Sequence, residues 1–597
     1  MSRPSVPANN RKYMGRAALA AGALALAPAL APADSDLQRR PGDARPQPTT
    51  PEQPDPNRAT DIERVEPIRP PDQVDGESLP VPDRWRILDS LGVMEQNWWD
   101  PYSQNTYKAD KPIHDDWFID VSLTSDTVYE PRRFPVPVSP QGTARSGELD
   151  LIGDGRQTVF AETLIGGIVY YKGDTVFRPP DYEYRLTLAA QYNHVDTEQV
   201  RLLRADPSEG TDRTDKHLGV QEAFVDIHLR DVSPRYDFDS VRFGIQPFNA
   251  DFRGFLFQDD QFGARLFGTR DNNIFQYNLA WFRRIEKDTN SGLNDVAEGL
   301  RADDVFAANL YWQDFPVLGF FTQATVVHNR NREGDEKAHF NTNDFIERPA
   351  SLGLEKPRNY DVTYFGLSGD GHFGRLNFTG SLYYAYGNQD RGVFLDHETD
   401  IRAGFAAGEF SMDFDWTRVR LSLLYASGDD DPFDDVSNGF DSIFENPQFA
   451  GADTSFWVRQ PVPLIGGGRI TLSGRNGILN SLRSTKEEGQ SNFDNPGTVL
   501  VGVGSDHDLT PEWRLSTNIN QLWFDKTEIV EVARQQADID PEIGTDVSVA
   551  AIYRPLFSQN IVLRASAAAL VPGDGYKQLF DDDKTPYSVL FNLILTY

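Results

Sequence analysis

From Trp117 onward, apolar and polar residues alternate in runs of about ten to fourteen positions, each closed by a turn. Trp117, Ile119, Val121 and Leu123 alternate with Phe118, Asp120, Ser122 and Thr124; Phe275, Tyr277, Leu279 and Trp281 alternate with Gln276, Asn278 and Ala280; Val547, Val549, Ala551 and Tyr553 alternate with Ser548, Ala550 and Arg554. Successive side chains of an extended chain point to opposite faces, so a period of two gives each run one apolar and one polar face. The pattern predicts about eighteen strands, starting near Trp117, Thr158, Tyr182, His217, Tyr236, Gly254, Asn273, Asp303, Val317, Asn359, Arg375, Thr399, Thr417, Gly497, Trp513, Thr545, Asn560 and Pro586.

The connections alternate in length. Tight turns fall at residues 231–235, 270–272, 314–316, 372–374, 413–416, 510–512 and 556–559; long connections lie between them at 130–157, 195–216, 286–302, 329–358 and 427–496. Short turns at one end and long loops at the other are the plan of an outer-membrane barrel, not of a sandwich or propeller. In lipid every backbone N–H and C=O must pair internally, and a closed barrel achieves this without an edge. The expected fold is therefore all-β: a transmembrane antiparallel up-and-down β-barrel of about eighteen strands over residues 117–597. Trp281, Trp312, Trp416, Trp523, Tyr425 and Tyr553 near strand ends suit interfacial girdles, although aromatic packing inside a core accounts for them equally well.

The segment before the barrel carries no such alternation. Arg3, Arg11, Lys12 and Arg16 precede an Ala- and Leu-rich run from Ala17 to Ala33, with Ala31 and Ala33 at cleavage-site spacing, so residues 1–33 read as a secretory signal peptide. Residues 34–83 are dense in proline with charges between and read as a disordered linker. Residues 84–116 form a lead-in, with Trp85, Leu88 and Leu91 at the spacing of a short helix.

Composition narrows the chemistry. The 597 residues carry 58 basic and 90 acidic side chains, a formal charge of −32, and no cysteine. Disulfides, thiolate zinc sites, iron–sulfur clusters and c-type haem are thereby excluded, and we expect no cofactor and no metal. The acidic balance argues against a nucleic-acid partner. Enzymatic signals are weak: His228 shares a face with Asp226 and Asp506 abuts His507, but neither pair has a nucleophile readable from sequence, and no G-x-S-x-G, H-E-x-x-H or P-loop is present. The protein is expected not to be an enzyme.

If the apolar set faces lipid, the other set lines the lumen. It contains Arg185, Arg242, Arg265, Arg402, Arg418, Arg420, Arg514, Arg554 and Arg564, against fewer acids, Asp120, Glu222, Asp226 and Asp361. Guanidinium groups stay charged and grip carboxylates bidentately, so this ladder predicts a path for anionic solutes. The alternative is structural, with inward arginines pairing with inward acids to fill the barrel. Residues 427–496 combine acids (Asp429, Asp430, Asp431, Asp434, Asp435, Asp441), aromatics (Phe440, Phe444, Phe449, Phe456, Trp457) and the flexible Gly466-Gly467-Gly468, and are the expected constriction. The acids read as a solvated loop rather than a cation site, since their spacing is not that of an EF-hand.

The last run, Tyr587 to Tyr597, has apolar residues at every second position before a final aromatic and resembles the assembly signal of bacterial outer-membrane barrels. With the signal peptide and strand plan, the chain resembles a porin-type barrel. That resemblance implies the outer membrane of a Gram-negative bacterium, contact with its lipid and lipopolysaccharide, and recognition of the last strand by barrel-assembly machinery. Tyr425-Ala426-Ser427-Gly428-Asp429, Phe440-Asp441-Ser442-Ile443-Phe444 and the Arg475-Asn476 pair resemble the alginate-export family of eighteen-stranded barrels. This would imply a uronate saccharide passing along the arginines. Two functions stay open: a channel for small or polymeric anionic solutes, and a scaffold, adhesin or sheath for a periplasmic or surface partner.

Overall fold

The computed structural model describes residues 91–92, 97–101, 105–133, 135, 154–173, 179–234, 237–465, 470–555, 559–580 and 584–597. The expected signal peptide, proline-rich linker and Trp85 helix, and the Gly466-Gly467-Gly468 run, lie outside them.

Among the described residues eighteen long strands form one antiparallel sheet: β1 (Trp117–Arg133), β2 (Arg156–Lys172), β3 (Tyr182–Thr197), β4 (Asp212–Asp231), β5 (Phe238–Asn249), β6 (Gln258–Arg270), β7 (Phe275–Ile285), β8 (Leu300–Gln313), β9 (Phe320–Asn331), β10 (Tyr360–Phe373), β11 (Leu376–Gln389), β12 (Thr399–Phe414), β13 (Thr417–Ala426), β14 (Thr498–Asp508), β15 (Trp513–Trp523), β16 (Glu542–Tyr553), β17 (Ile561–Pro572) and β18 (Tyr587–Thr596). Each pairs with its neighbours in sequence, and β18 closes on β1 from Thr124↔Thr596 to Arg133↔Tyr587, so the sheet is a closed transmembrane barrel. Strand starts lie close to the expected ones; the largest difference is at β4, which begins at Asp212 rather than near His217.

Local chemistry explains the tight turns. Asp271, Asn272 and Asn273 between β6 and β7, Asp314 between β8 and β9, Gly374 between β10 and β11 and Asp415 between β12 and β13 all adopt positive φ. Asn, Asp and Gly tolerate that conformation best, because a short polar side chain or none avoids the usual clash. The outer wall exposes Leu164, Ile168, Leu186, Leu279, Leu310, Phe365, Leu367, Val503, Ile519 and Val549, the belt that lipid covers, with Trp312, Trp416 and Trp513 exposed toward the tight-turn end.

The barrel is not hollow. Residues 427–465 and 470–497, between β13 and β14, fold inward as a plug, joined by the short β5–β6 connection at 250–257. Phe440, Phe456, Trp457, Leu472, Leu482 and Phe493 of the plug and Phe255, Leu256 and Phe257 of the shorter loop are buried in one core. The inward wall of β8 to β14 completes it with Val305, Ala307, Val327, Val362, Tyr364, Tyr383, Ala385, Ile401, Ala403, Phe405, Leu424, Ala426 and Leu500. Each large side chain buried this way contributes about 1.5–3 kcal/mol. Some polar groups inside the plug are matched, since Asp441 accepts from Arg483 Nε at 2.6 Å and the Tyr364 hydroxyl donates to Asp441 O at 3.0 Å, while Trp457 Nε1, Asn480 Oδ1 and Glu445 Oε2 are buried without a partner.

This packing corrects two placements. Apolar residues face both inward and outward on β8 to β14, so an apolar face there does not identify the lipid side. Ile401, Ala403 and Phe405 point inward, which puts Arg402 on the outside, bonded to Asp400 at 2.7 Å. Likewise Tyr360, Val362 and Tyr364 point inward and Asp361 outward, paired with Arg332. The acidic loop is also not wholly solvated, since Asp429 and Asp441 are buried.

Phe440 is wedged between Phe405, with ring centroids 5.0 Å apart, and Tyr364 at 6.1 Å. Phe440→Ala should weaken plug docking by about 3–5 kcal/mol, seen as a lower denaturant midpoint for Trp457 fluorescence in detergent while the β signal in circular dichroism persists. An unchanged midpoint would show that this packing does not hold the plug.

Candidate solute path

The plug packs on the inward wall from β8 round to β17 and leaves space against parts of β1 to β8. Among the described residues, two cavities lie there. An outer one of about 340 Å³ is bounded by the long-loop ends of β1 to β4 and by the plug, with Arg132, Asn193, Arg213 and Arg459 in its wall. A deeper one of about 640 Å³ is lined by Phe248, Asn249, Asp259, Asp260, Arg265, Asn278, Lys287, Tyr311 and Phe444. Arg475, Asn476, Lys486 and Glu487 of the plug line both and so divide them.

The dividing wall is held by charge and by a glycine. Arg475 Nη2 lies 3.1 Å from Glu487 Oε1 and 3.3 Å from Ser291 O. Gly292, at φ +75°, lets the guanidinium lie against the backbone, for a Cβ there would stand 2.3 Å from Arg475 Nη2. Lys486 Nζ donates to two backbone oxygens, Glu445 O at 2.9 Å and Asn476 O at 3.1 Å. Burial holds the Lys486 ammonium below its ordinary range, and burial raises the Glu445 carboxyl to about 7.

Seven of the nine arginines expected in the lumen point inward, and most are neutralised there. Arg185 lies 2.8 Å from Glu183 and 3.6 Å from Glu222; Arg242 lies 2.8 Å from Asp226. Arg418 pairs with Asp413 and Arg514 with Asp508, each at 2.6 Å, near the tight-turn end. Arg420 lies 3.2 Å from Asp506, and Arg564 reaches Asp453 of the plug at 3.1 Å. Arg554 lies just beyond β16, its backbone N–H donating to Glu512 O at 2.8 Å. Arg265 differs: its Nε donates to Asn278 Oδ1 at 2.6 Å, and no carboxylate pairs with it among the described residues. It stands directly across from Arg242 in the β5–β6 register, with the Phe267 ring 4.7 Å from its guanidinium carbon. Of the nine, Arg265 alone lines the deeper cavity.

Sequence reasoning missed Arg132, Arg213, Lys287, Arg459 and Lys486. Arg132 and Arg213 belong to strand ends that run past the belt into what reads as loop, though Arg213, Asp215 and His217 continue the polar alternation of β4. The other three sit in loops, where no period marks which way a side chain points. Arg475 was visible only as half of a motif. His228 bonds Asp231 at 2.9 Å rather than Asp226, and His507 lies on the outward face beside Ser505 and Thr417, away from the cavities.

No family model and no curated protein matches the chain. Solved structures do match. Pseudomonas aeruginosa OccK1 (OpdK) is 12% identical over 80% of this chain and 98% of that one, with a TM-score of 0.42. Pseudomonas aeruginosa OccK2 (OpdF), solved in complex with glucuronate, is 10% identical over 80% and 97%, with a TM-score of 0.41. Acinetobacter baumannii OccAB3 is 10% identical over 80% and 99%, also with a TM-score of 0.41. No more than the barrel architecture is shared at that distance, and the resemblance to the alginate-export family gains no support.

At the start of the plug, burial and the neighbouring Asp494, Asp434 and Asp430 raise the Asp429 carboxyl to about 8. The docked plug thus binds a proton that an undocked plug releases. This favours docking at low pH, and the contribution is lost as pH rises from the ordinary carboxylate range through about 8. Proteolysis of residues 427–497 should therefore quicken between pH 5 and pH 9, and Asp429→Asn should flatten the profile; equal slopes in the two proteins would refute the assignment.

Proposed function

We propose that the protein is an outer-membrane channel for small anionic solutes, which pass along the β1–β7 side of the lumen. One observation carries this reading: Arg265, inward and without a carboxylate, faces a cavity of about 640 Å³. A partly buried cation lacking a protein anion is left uncompensated, and a solute carboxylate or phosphate can supply the charge. The outer cavity adds Arg132, Arg213 and Arg459, of which Arg132 and Arg459 share the single carboxylate of Glu130 at 3.9 and 3.6 Å. Arg185, Arg242, Arg418 and Arg514 stand along the same lumen but are already paired with Glu183, Asp226, Asp413 and Asp508, so Arg265 is the position left for a solute charge.

Size favours single solutes over a polymer. Both cavities fall near the range of small-molecule sites, about 300–1,000 Å³, and Arg475 with Lys486 stands between them. Phe248, Tyr311 and Phe444 give the deeper cavity apolar surface, while Asn249 and Asn278 offer hydrogen bonds, a combination suited to a carboxylate on a compact organic body.

In planar bilayers under a salt gradient, the purified protein should show a reversal potential of anion-selective sign. Arg265→Gln should move it toward zero and weaken block by a small carboxylate roughly tenfold, the worth of about 1.4 kcal/mol for one charge-assisted hydrogen bond. Cation selectivity, or no conductance from the isolated barrel, would overturn the proposal and favour a scaffold; a scaffold would instead retain a stoichiometric partner through purification.

A further inference from the structure

The barrel seam is uneven. β18 pairs with β1 only as far as Thr124↔Thr596, with Tyr597 N donating to Leu123 O at 2.8 Å just beyond. β1 itself starts at Trp117, so its first residues project past the end of β18 with an open edge on the seam side. Unpaired strand edges recruit other strands, and proteins cover them.

Here the lead-in covers it. Ala109 N donates to Ile119 O at 2.9 Å, and Val121 N donates to Tyr107 O at 2.7 Å, so residues 107–109 take over where β18 stops. Lys108 Nζ donates to Val121 O at 2.5 Å and lies 4.4 Å from the centroid of the Tyr597 ring. Asn105 ties the lead-in together while fully buried. Its Nδ2 is 2.9 Å from Trp98 O, from Asp100 O and from the Tyr597 hydroxyl; its Oδ1 accepts from Tyr107 N at 3.0 Å; its own N–H donates to Asp110 Oδ2 at 2.9 Å. The Tyr597 hydroxyl in turn donates to Trp98 O.

We propose that residues 97–101 and 105–110 are a seam latch, and that the β1 edge they cover is a strand-docking surface whose resident occupant is this part of the chain. β1 and β18 cannot part at the tight-turn end while the latch holds both: it is hydrogen-bonded along β1 and clasps Tyr597 beyond β18. Release uncovers two backbone groups of β1, Ile119 O and Val121 N, in the geometry that accepts an extended strand.

The test is hydrogen exchange on the folded full-length protein in detergent. Asn105→Ala removes the hub, and Tyr597→Phe removes one hydroxyl while keeping the ring under Lys108. Exchange in the peptide covering residues 117–123 should quicken roughly tenfold or more in Asn105→Ala and less in Tyr597→Phe. Peptides from β14, far from the seam, should not change, nor should single-channel conductance. On semi-native gels the temperature at which the compact band converts should fall in the same order. Unaltered exchange at 117–123 in both variants, or equal acceleration at 117–123 and in β14, would overturn the latch.

Discussion

The whole molecule depends on one requirement, that every backbone amide in the hydrocarbon layer find a partner within the wall. Eighteen strands closed from β18 back to β1 meet it. Once they do, most side chains are released from holding the cylinder shut, the seam at Asn105 and Tyr597 apart. The outward set has only to be apolar, and the inward set is free to differ from one side of the barrel to the other.

This chain uses that freedom asymmetrically. Against β8 to β14 the plug packs as the interior of a soluble domain would, with aromatic and aliphatic side chains from wall and loop in one core. Against β1 to β7 the inward wall mixes direct ion pairs such as Arg185–Glu183 and Arg242–Asp226, each at 2.8 Å, with apolar side chains such as Phe248 and Phe282. Most inward arginines there have carboxylates within reach, so the lumen is less basic than a count of arginines implies. The charge of the lumen is set by the groups left unmatched, and that is a property of neighbours rather than of residue type.

The fold was legible because alternation and loop length are both written locally. Strand starts, the tight-turn end and the position of the long insertion could be read from residues such as Asp271-Asn272-Asn273 and the runs between them. Facing was legible only where one side is wet. On β10 and β12 lipid on one side and plug on the other both demand apolar neighbours, so Asp361 and Arg402 could not be placed by period two. The path was less readable still, because Lys287, Arg475 and Lys486 come from loops whose direction is set by tertiary packing. Arg265 could be listed with the others, but its lack of a carboxylate partner could be seen only in three dimensions.

The plug enters and leaves the wall between adjacent strands, at Ala426 and Thr498, which are register partners. An insertion anchored in this way behaves as a cassette. Its length can change without altering the spacing of the two strands it leaves and enters, but a refitted filling must restore the bonds it makes to the rest of the wall, such as Asp400 N of β12 to Asp435 O and Gln258 N of β6 to Phe444 O, each at 2.9 Å.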